Sequence, residues 1–192
     1  MTRSYRMQAR ARNVEETRSR IIAAATLLFG ERPFDLVSFA QVARESGIGI
    51  ATVVRQFETK EQLFAAAATA AKNALESEAA STPSGEPAAA VQSALHNYER
   101  YGDAIVGLIA QEQRVPQIRA LIQHGRAEHR TWVLRVFARV LRRRRGRQRQ
   151  VRLAQLMATT DVQMWKLLRR DLRLSRPETE RAMLEMVVAL CR

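Results

Sequence analysis

Side chains of the right type and spacing to grip a nucleic acid are concentrated in the stretch SFAQVARESGIGIATVVRQFETKEQLF, residues 38–64. Read as a helix from about residue 49 or 50 to 56, this stretch puts residues 51, 52 and 55 on one arc. There Arg55 offers paired N–H groups to a guanine edge and Thr52 a hydroxyl, while Ile50 and Ala51 offer the apolar contact that a thymine methyl accepts. Gly49 opens that helix, and Val53 and Phe57 point the other way, towards a core. Ser38 and Lys60 stand at two further helix starts, where unpaired backbone N–H groups and the helix dipole attract phosphate.

Chemistry of the catalytic kind finds no comparable grouping. The histidines are His96, His124 and His129, and the five-residue step between the last two turns them about 140° apart on a helix, off a shared metal-binding face. No glycine-rich phosphate loop and no Gly-x-Ser-x-Gly context occur, and Cys191 is the single cysteine, so neither an internal disulfide nor a Cys-pair metal site can form. No enzyme activity, metal or cofactor is expected.

The elements that must position the nucleic-acid contacts are readable from capping chemistry. Ser38 with Gln41 forms one capping box, Phe39, Val42 and Ala43 form the apolar stripe behind it, and Gly47 stops that helix. A second short helix follows, giving a helix-turn-helix. Thr59 with Gln62 forms the next box and starts a linking helix that runs to about residue 80. Before the motif, a helix over about 14–32 carries Ile21, Ala24, Ala25, Leu28 and Phe29 on one face, a base for the two short helices. After it, the Ser81-Thr-Pro-Ser-Gly-Glu-Pro87 segment is the clearest break. Helices are expected over about 88–101, 104–113, 116–144, 147–172 and 177–191, with Ser175 and Glu178 boxing the last. The chain is therefore expected to be all-α with about nine helices. It divides into a basic arm at 1–13, a helix-turn-helix domain at 14–64, and an effector-binding and dimerisation domain at 65–192.

These residues together resemble the tetracycline-repressor (TetR) family of bacterial transcription regulators. The resemblance rests on Arg18-Ser-Arg-Ile-Ile-Ala-Ala-Ala-Thr-Leu-Leu-Phe29, on Val42-Ala43 to Gly47-Ile48, and on Phe57-Glu-Thr-Lys60-Glu61-Gln-Leu63. It implies a sequence-specific DNA-binding regulator, a repressor in the commoner mode, acting as a homodimer on a palindromic operator and released by a small-molecule effector. It also implies that Lys60 touches the DNA backbone. The chain departs from the family at Pro33, where glycine is usual, at Gly49, where a Ser or Thr hydroxyl is usual, and at Val54, where an aromatic residue is usual. The operator sequence therefore does not transfer from relatives.

By the same resemblance the middle helices hold an effector pocket. Its candidate walls are Tyr98, Tyr101, Leu108, Ile109, Glu112, Leu121, Ile122, Trp132, Val136, Phe137 and Trp165, with Glu112 the polar handle. The last two helices carry Leu153, Leu156, Met157, Thr160, Met164, Leu167 and Leu168, then Met183, Met186, Val187 and Leu190, at helical spacing. An intramolecular core would give that pattern. The family resemblance points instead to a dimer interface.

Composition bounds the rest. With 192 residues, 46% hydrophobic, the chain can bury a core, and it has neither an apolar run of the roughly 20 residues that a membrane span needs nor the apolar core of a secretion signal, so a cytoplasmic protein is expected. A formal charge of +13 points to anionic partners. Yet residues 1–64 carry 10 basic and 7 acidic side chains, so most of the excess lies elsewhere. Arg3, Arg6, Arg10 and Arg12 form an acid-free leader, which reads either as a DNA-tracking arm or as a solubilising tail. Nine arginines and no acid lie between Arg135 and Arg152. This block reads as a solvated helix end with Gly146 as its stop, or as a contact for DNA or another polyanion, and the alternative function is an arginine-rich protein that binds nucleic acid without reading sequence.

Overall fold

The computed structural model describes residues 3–192, and the side chains of residues 12–73 and 81–192. The chain divides into two compact units, Met1–Asn73 and Ala74–Arg192. Among the described residues all regular structure is helical.

In the first unit, α1 (Arg3–Glu31) presents Ile21, Ala24, Ala25, Leu28 and Phe29 to the core, all buried as the periodicity predicts. It begins well before the expected residue 14, so the leader backbone from Arg3 onward continues the helix; the side chains of Arg3, Arg6 and Arg10 lie outside the described ones. Pro33, extended at φ −53°, then opens a single 3-10 turn over Phe34–Leu36, so a residue that cannot take positive φ finds a turn that does not need it. Phe34 packs on Phe29 and Phe64 with centroids 5.7 and 5.4 Å away.

Helix α2 (Phe39–Ser46) starts from the complete Ser38–Gln41 capping box and ends at Gly47, whose φ of 65° is the left-handed geometry that glycine adopts without strain. The Ile48 N–H reaches back to the Ala43 carbonyl at 3.1 Å and seals that end. Helix α3 (Ile50–Gln56) is two turns long and too short to persist alone. Tertiary contacts hold it: Val53 and Phe57 are buried in the core, and Arg18 lies 4.5 Å over the Phe57 ring. Helix α4 (Lys60–Ala80) begins with the Thr59 hydroxyl accepting from the Gln62 N–H at 3.1 Å, while the Gln62 side chain returns to the N–H of Glu58, one residue earlier than a standard box.

The second unit contains α5 (Pro87–Ile109), α6 (Pro116–Val136), α7 (Ala138–Arg142), α8 (Gly146–Thr159), α9 (Val162–Lys166) and α10 (Arg176–Cys191). Helix α5 packs against α6, α9 and α10, and α8 against α6 and α10. The expected break at residues 102–103 is absent, because Gly102 is not a stop but a gap for a neighbour. A Cβ there would stand 2.4 Å from Cζ3 of Trp165.

Two expected single helices are instead broken, each by a side chain or amide from far along the chain. At the end of α6, Ser84 Oγ donates to the Arg135 carbonyl at 3.0 Å and the Gly85 N–H to the Val136 carbonyl at 2.8 Å, taking acceptors that a continued helix would use. Phe137 turns into the core and α7 starts afresh. Between α8 and α9, the Tyr98 hydroxyl donates to the Thr160 carbonyl at 2.9 Å, and Asp161 caps α9 through the Gln163 N–H. Gly146 also corrects the sequence reading: at φ 50° it opens α8 rather than stopping the helix before it.

After α9 the chain makes one π-helical turn over Leu167–Asp171, closed by Leu172 N–H to the Leu167 carbonyl at 2.8 Å. The widened turn lets the adjacent Arg169 and Arg170 both reach α5, where Glu99 and Asp103 sit one turn apart. Ser175 and Glu178 then form the predicted box at the start of α10.

Candidate nucleic-acid interface

At about 100° per residue, Ile50, Val54, Ala51 and Arg55 occupy one continuous arc of about 140° on α3, and Thr52, Gln56 and Val53 share the rest of the circumference. Burial follows that division. Val53 is buried, Thr52 and Gln56 are half-buried, and the arc is exposed, Ile50 at 51% and Val54 at 44%. Four exposed side chains on a helix whose other face is fixed in the core make an outward surface about as wide as a major groove accepts. Arg55 is its hydrogen-bonding member, and its Nη2 donates to the Thr52 hydroxyl at 3.3 Å. Thr52 thus serves as a brace for Arg55 from the edge of the arc.

Val54 shares this exposed arc although the sequence marks it only for lacking an aromatic hydroxyl. Its helical angle between Ile50 and Ala51 is the signal that places it on the outward arc. Gly49 precedes α3 at φ −59° with no side-chain cap, and a Cβ there would meet nothing within 4 Å. Ser38 is exposed, but its hydroxyl and amide are engaged with Gln41. Lys60 is half-buried, its Nζ donating to the Asp35 carbonyl at 3.4 Å and lying 4.6 Å from the Phe34 centroid. An ammonium has three donors, so this anchor orients it and leaves hydrogens for phosphate.

The motif is pinned to α1 by a contact no motif announced. Arg20 Nη2 donates to the Ser46 carbonyl at 2.7 Å, satisfying the end of α2 beside Gly47.

Residues 21–67 match the family described as bacterial regulatory proteins, tetR family. The amino-terminal unit is a TetR-family domain. Solved structures of similar fold include a tetR-family transcriptional regulator from Streptomyces coelicolor, 21% identical, covering 92% of this chain and 80% of that one at a TM-score of 0.73. A transcriptional regulator from Rhodococcus sp. is 19% identical over 90% of this chain and 95% of that one, with a TM-score of 0.70. The multidrug binding protein EbrR, solved with imidazole, is 17% identical, covers 89% of each chain and gives a TM-score of 0.60. No curated protein matches the chain in sequence. At these identities the solved structures establish the all-α fold of the whole chain, and the TetR-family domain carries the helix-turn-helix of a DNA-binding transcription regulator.

The residues expected to line an effector pocket are dispersed. Trp165 is fully buried, with Nε1 donating to Glu99 at 3.0 Å, and Tyr98 packs beside it with its hydroxyl committed to Thr160 and its ionisation suppressed by burial. Phe137 is buried in the same core, edge-on to the half-buried Trp132. Tyr101 and Leu108 are half-buried, with the Arg100 guanidinium over the Tyr101 ring. Glu112 pairs with Arg126 at 2.8 and 3.0 Å, so its carboxylate already has its cation. Cavities are also present among the described residues of this unit, and of the expected pocket residues Phe137 borders one of them. One of about 160 Å³ is bordered by Phe137, Arg139, Arg143 and Cys191. Another, about 350 Å³, is lined by Thr82, Ala89, Ser93, His96 and Asn97 among others. Trp132 reaches the edge of the larger one through Nε1 to the Thr82 hydroxyl at 3.4 Å, and Thr82 donates to Ser93 at 2.8 Å.

The expected dimer residues also separate into two groups. Leu153, Leu156, Leu168, Met183 and Val187 are buried within the chain's own core, as the intramolecular alternative has it, while Met157, Met164, Met186 and Leu190 are half-buried. The large apolar side chains that these elements leave exposed are Val151, Leu167 and Leu172. Among the described residues no helix is long and apolar enough to cross a membrane, and no group of His, Cys, Asp or Glu is placed to hold a metal.

Proposed function

We propose that the chain is a ligand-responsive repressor that binds a palindromic operator as a homodimer, reading each half-site with the outward arc of α3. The observation that carries this reading is the exposure of Ile50, Ala51, Val54 and Arg55 on a TetR-family recognition helix whose inner residues, Val53 and Phe57, are locked in the core. A two-fold operator requires two such helices, and the half-buried Met157, Met164, Met186 and Leu190 with the exposed Leu167 and Leu172 are the surface available for a second copy.

For the effector we favour the cavity of about 350 Å³, within the range that small-molecule sites occupy. The Asn97 Oδ1 atom is buried without a partner among the described residues, which suits a ligand that donates a hydrogen bond. EbrR, whose fold this chain shares, binds drugs. A mobility-shift assay with genome-selected and scrambled duplexes tests the central reading. Preference of the wild-type chain for the selected duplex, reduced in Arg55→Ala, is expected, and equal wild-type affinity for both duplexes would overturn it.

A further inference from the structure

We propose that the exposed arginines around the start of α8 form a second contact for duplex DNA, one that holds the phosphate backbone without reading bases. It rests on the reading of the chain as a DNA-binding regulator but concerns a surface of the carboxyl-terminal unit. No acidic residue occurs between Glu128 and Asp161. Arg142, Arg145, Arg147 and Arg149 are exposed, and among the described residues none of them has an ion pair or side-chain hydrogen bond.

Their placement runs against the helix they sit on. The amino-terminal end of a helix carries partial positive charge and favours acids, whereas the first turn of α8 holds Arg147 and Arg149 with no acid, and Arg145 in the capping position supplies no side-chain cap. Side-chain caps are present at Ser38, Thr59, Asp161 and Ser175, whereas α3, α5, α6 and α7, like α8, start without one, so the arginines and not the missing cap mark this helix start. Four exposed like charges around this helix start repel one another, and an anionic partner would relieve that repulsion. Guanidinium groups match phosphate oxygens with paired N–H bonds, as lysine does not, and all basic residues between 130 and 160 are arginine. On α8 and the turn before it Val151 is the single exposed large apolar residue, so the patch lacks the apolar belt that a membrane-surface helix needs. A polyanion presenting regular phosphates to a protein that already carries a DNA-binding domain is the duplex itself.

The test measures salt dependence on the full chain. Affinity for a genome-selected operator and for a scrambled duplex of equal length is followed by fluorescence anisotropy from about 50 to 200 mM salt, the range over which phosphate neutralisation dominates. The variant R142Q/R145Q/R147Q/R149Q should bind both duplexes more weakly by the same factor. Its log–log salt slope should fall by about 0.9 for each phosphate no longer neutralised, up to about 3.6 for four, and each such phosphate is worth about 3.5-fold across a fourfold salt step. The matching arginine-to-lysine variant should keep most of the slope, and Arg55→Ala should lower operator affinity while leaving the scrambled-duplex slope alone. Without DNA, the glutamine variant should melt at or above the wild-type temperature, since repulsion is relieved. Unchanged slopes in the glutamine variant, or a lowered melting temperature that makes these arginines part of the fold, would overturn the proposal. Equal wild-type affinity for the two duplexes would instead overturn the sequence-reading function and leave the slope comparison as the measure of the patch.

Discussion

Arg55 and Val54 stand side by side on the outward arc of α3 and should fail in different ways when altered. Arg55 is the arc's hydrogen-bonding group, so Arg55→Ala should cost about 1–3 kcal/mol on the operator and relax the preference at one base pair. Val54 has only apolar surface to offer, and the base-pair feature that rewards it is the C5 methyl of thymine. Replacing thymine by deoxyuridine at the contacted step removes that methyl and nothing else, at an expected cost of about 0.8 kcal/mol per methyl. Val54→Ala should lose this sensitivity, and a wild-type protein indifferent to the exchange would remove Val54 from the proposed reading surface. Lys60 contributes on a different axis. Anchored by the Asp35 carbonyl, it offers charge rather than base recognition, so Lys60→Ala should weaken all duplexes alike and lower the salt slope by about 0.9, as read by anisotropy titration at several salt concentrations.

At the scale of elements, Gly102 shows two rules in opposition. Alanine is favoured over glycine inside a helix by about 0.8–1.0 kcal/mol, which predicts that Gly102→Ala stabilises α5. The added Cβ would meet three Trp165 ring atoms at 2.4–2.8 Å, and that ring is held by Glu99 on its Nε1 and by Arg170 over its face at 4.5 Å. Overpacking at a site that cannot yield costs about 1–3 kcal/mol and wins, so Gly102→Ala should lower the melting temperature and shift Trp165 emission. From sequence alone Gly102 reads as a break, because a single chain does not show which distant ring fills the space above it. Chain order hides the breaks after Val136 and Thr159 for the same reason: the groups that intercept the carbonyls there, Ser84, Gly85 and Tyr98, lie about 50 or more residues away. Legibility is local. The boxes at Ser38 and Ser175, the left-handed Gly47, the buried face of α1 and the inward Val53 and Phe57 each follow from neighbours within a turn or two. The dimer and effector residues rest on periodicity, which marks an apolar face without saying whether the chain itself covers it.

For the whole molecule, acid should act on the second unit through the α5 carboxylates. The Arg169 hydrogen bonds, aided by the Trp165 N–H, hold the Glu99 carboxyl down to about 2 from its ordinary 4.5. A folded value below the unfolded one means stability that is fully present above about pH 4.5 and is lost as the pH falls towards 2. Melting temperatures of wild type and Glu99→Gln should therefore differ at about pH 6, with the gap narrowing below about pH 4.5 and closing only as the pH reaches about 2, and a constant gap would assign the pair no ionic role. Control by an effector is the larger question. Helix α4 runs from the TetR-family domain across the division at Asn73 and Ala74, and we expect it to carry the coupling, with ligand weakening operator binding. Linkage makes that expectation strict: if ligand weakens DNA by some factor, commonly about 5- to 150-fold for about 1–3 kcal/mol of coupling, DNA must weaken ligand by the same factor. Trp132 supplies the signal, because its Nε1 donates to Thr82 on the wall of the larger cavity while Trp165 is sealed in the core and bonded to Glu99. Titration of a Trp165→Phe chain with a small-molecule library, with and without operator, should yield ligands whose quenching midpoint moves upward when DNA is present. Ligands that quench Trp132 with the same midpoint in both titrations would separate this cavity from DNA binding and end the proposed route of regulation.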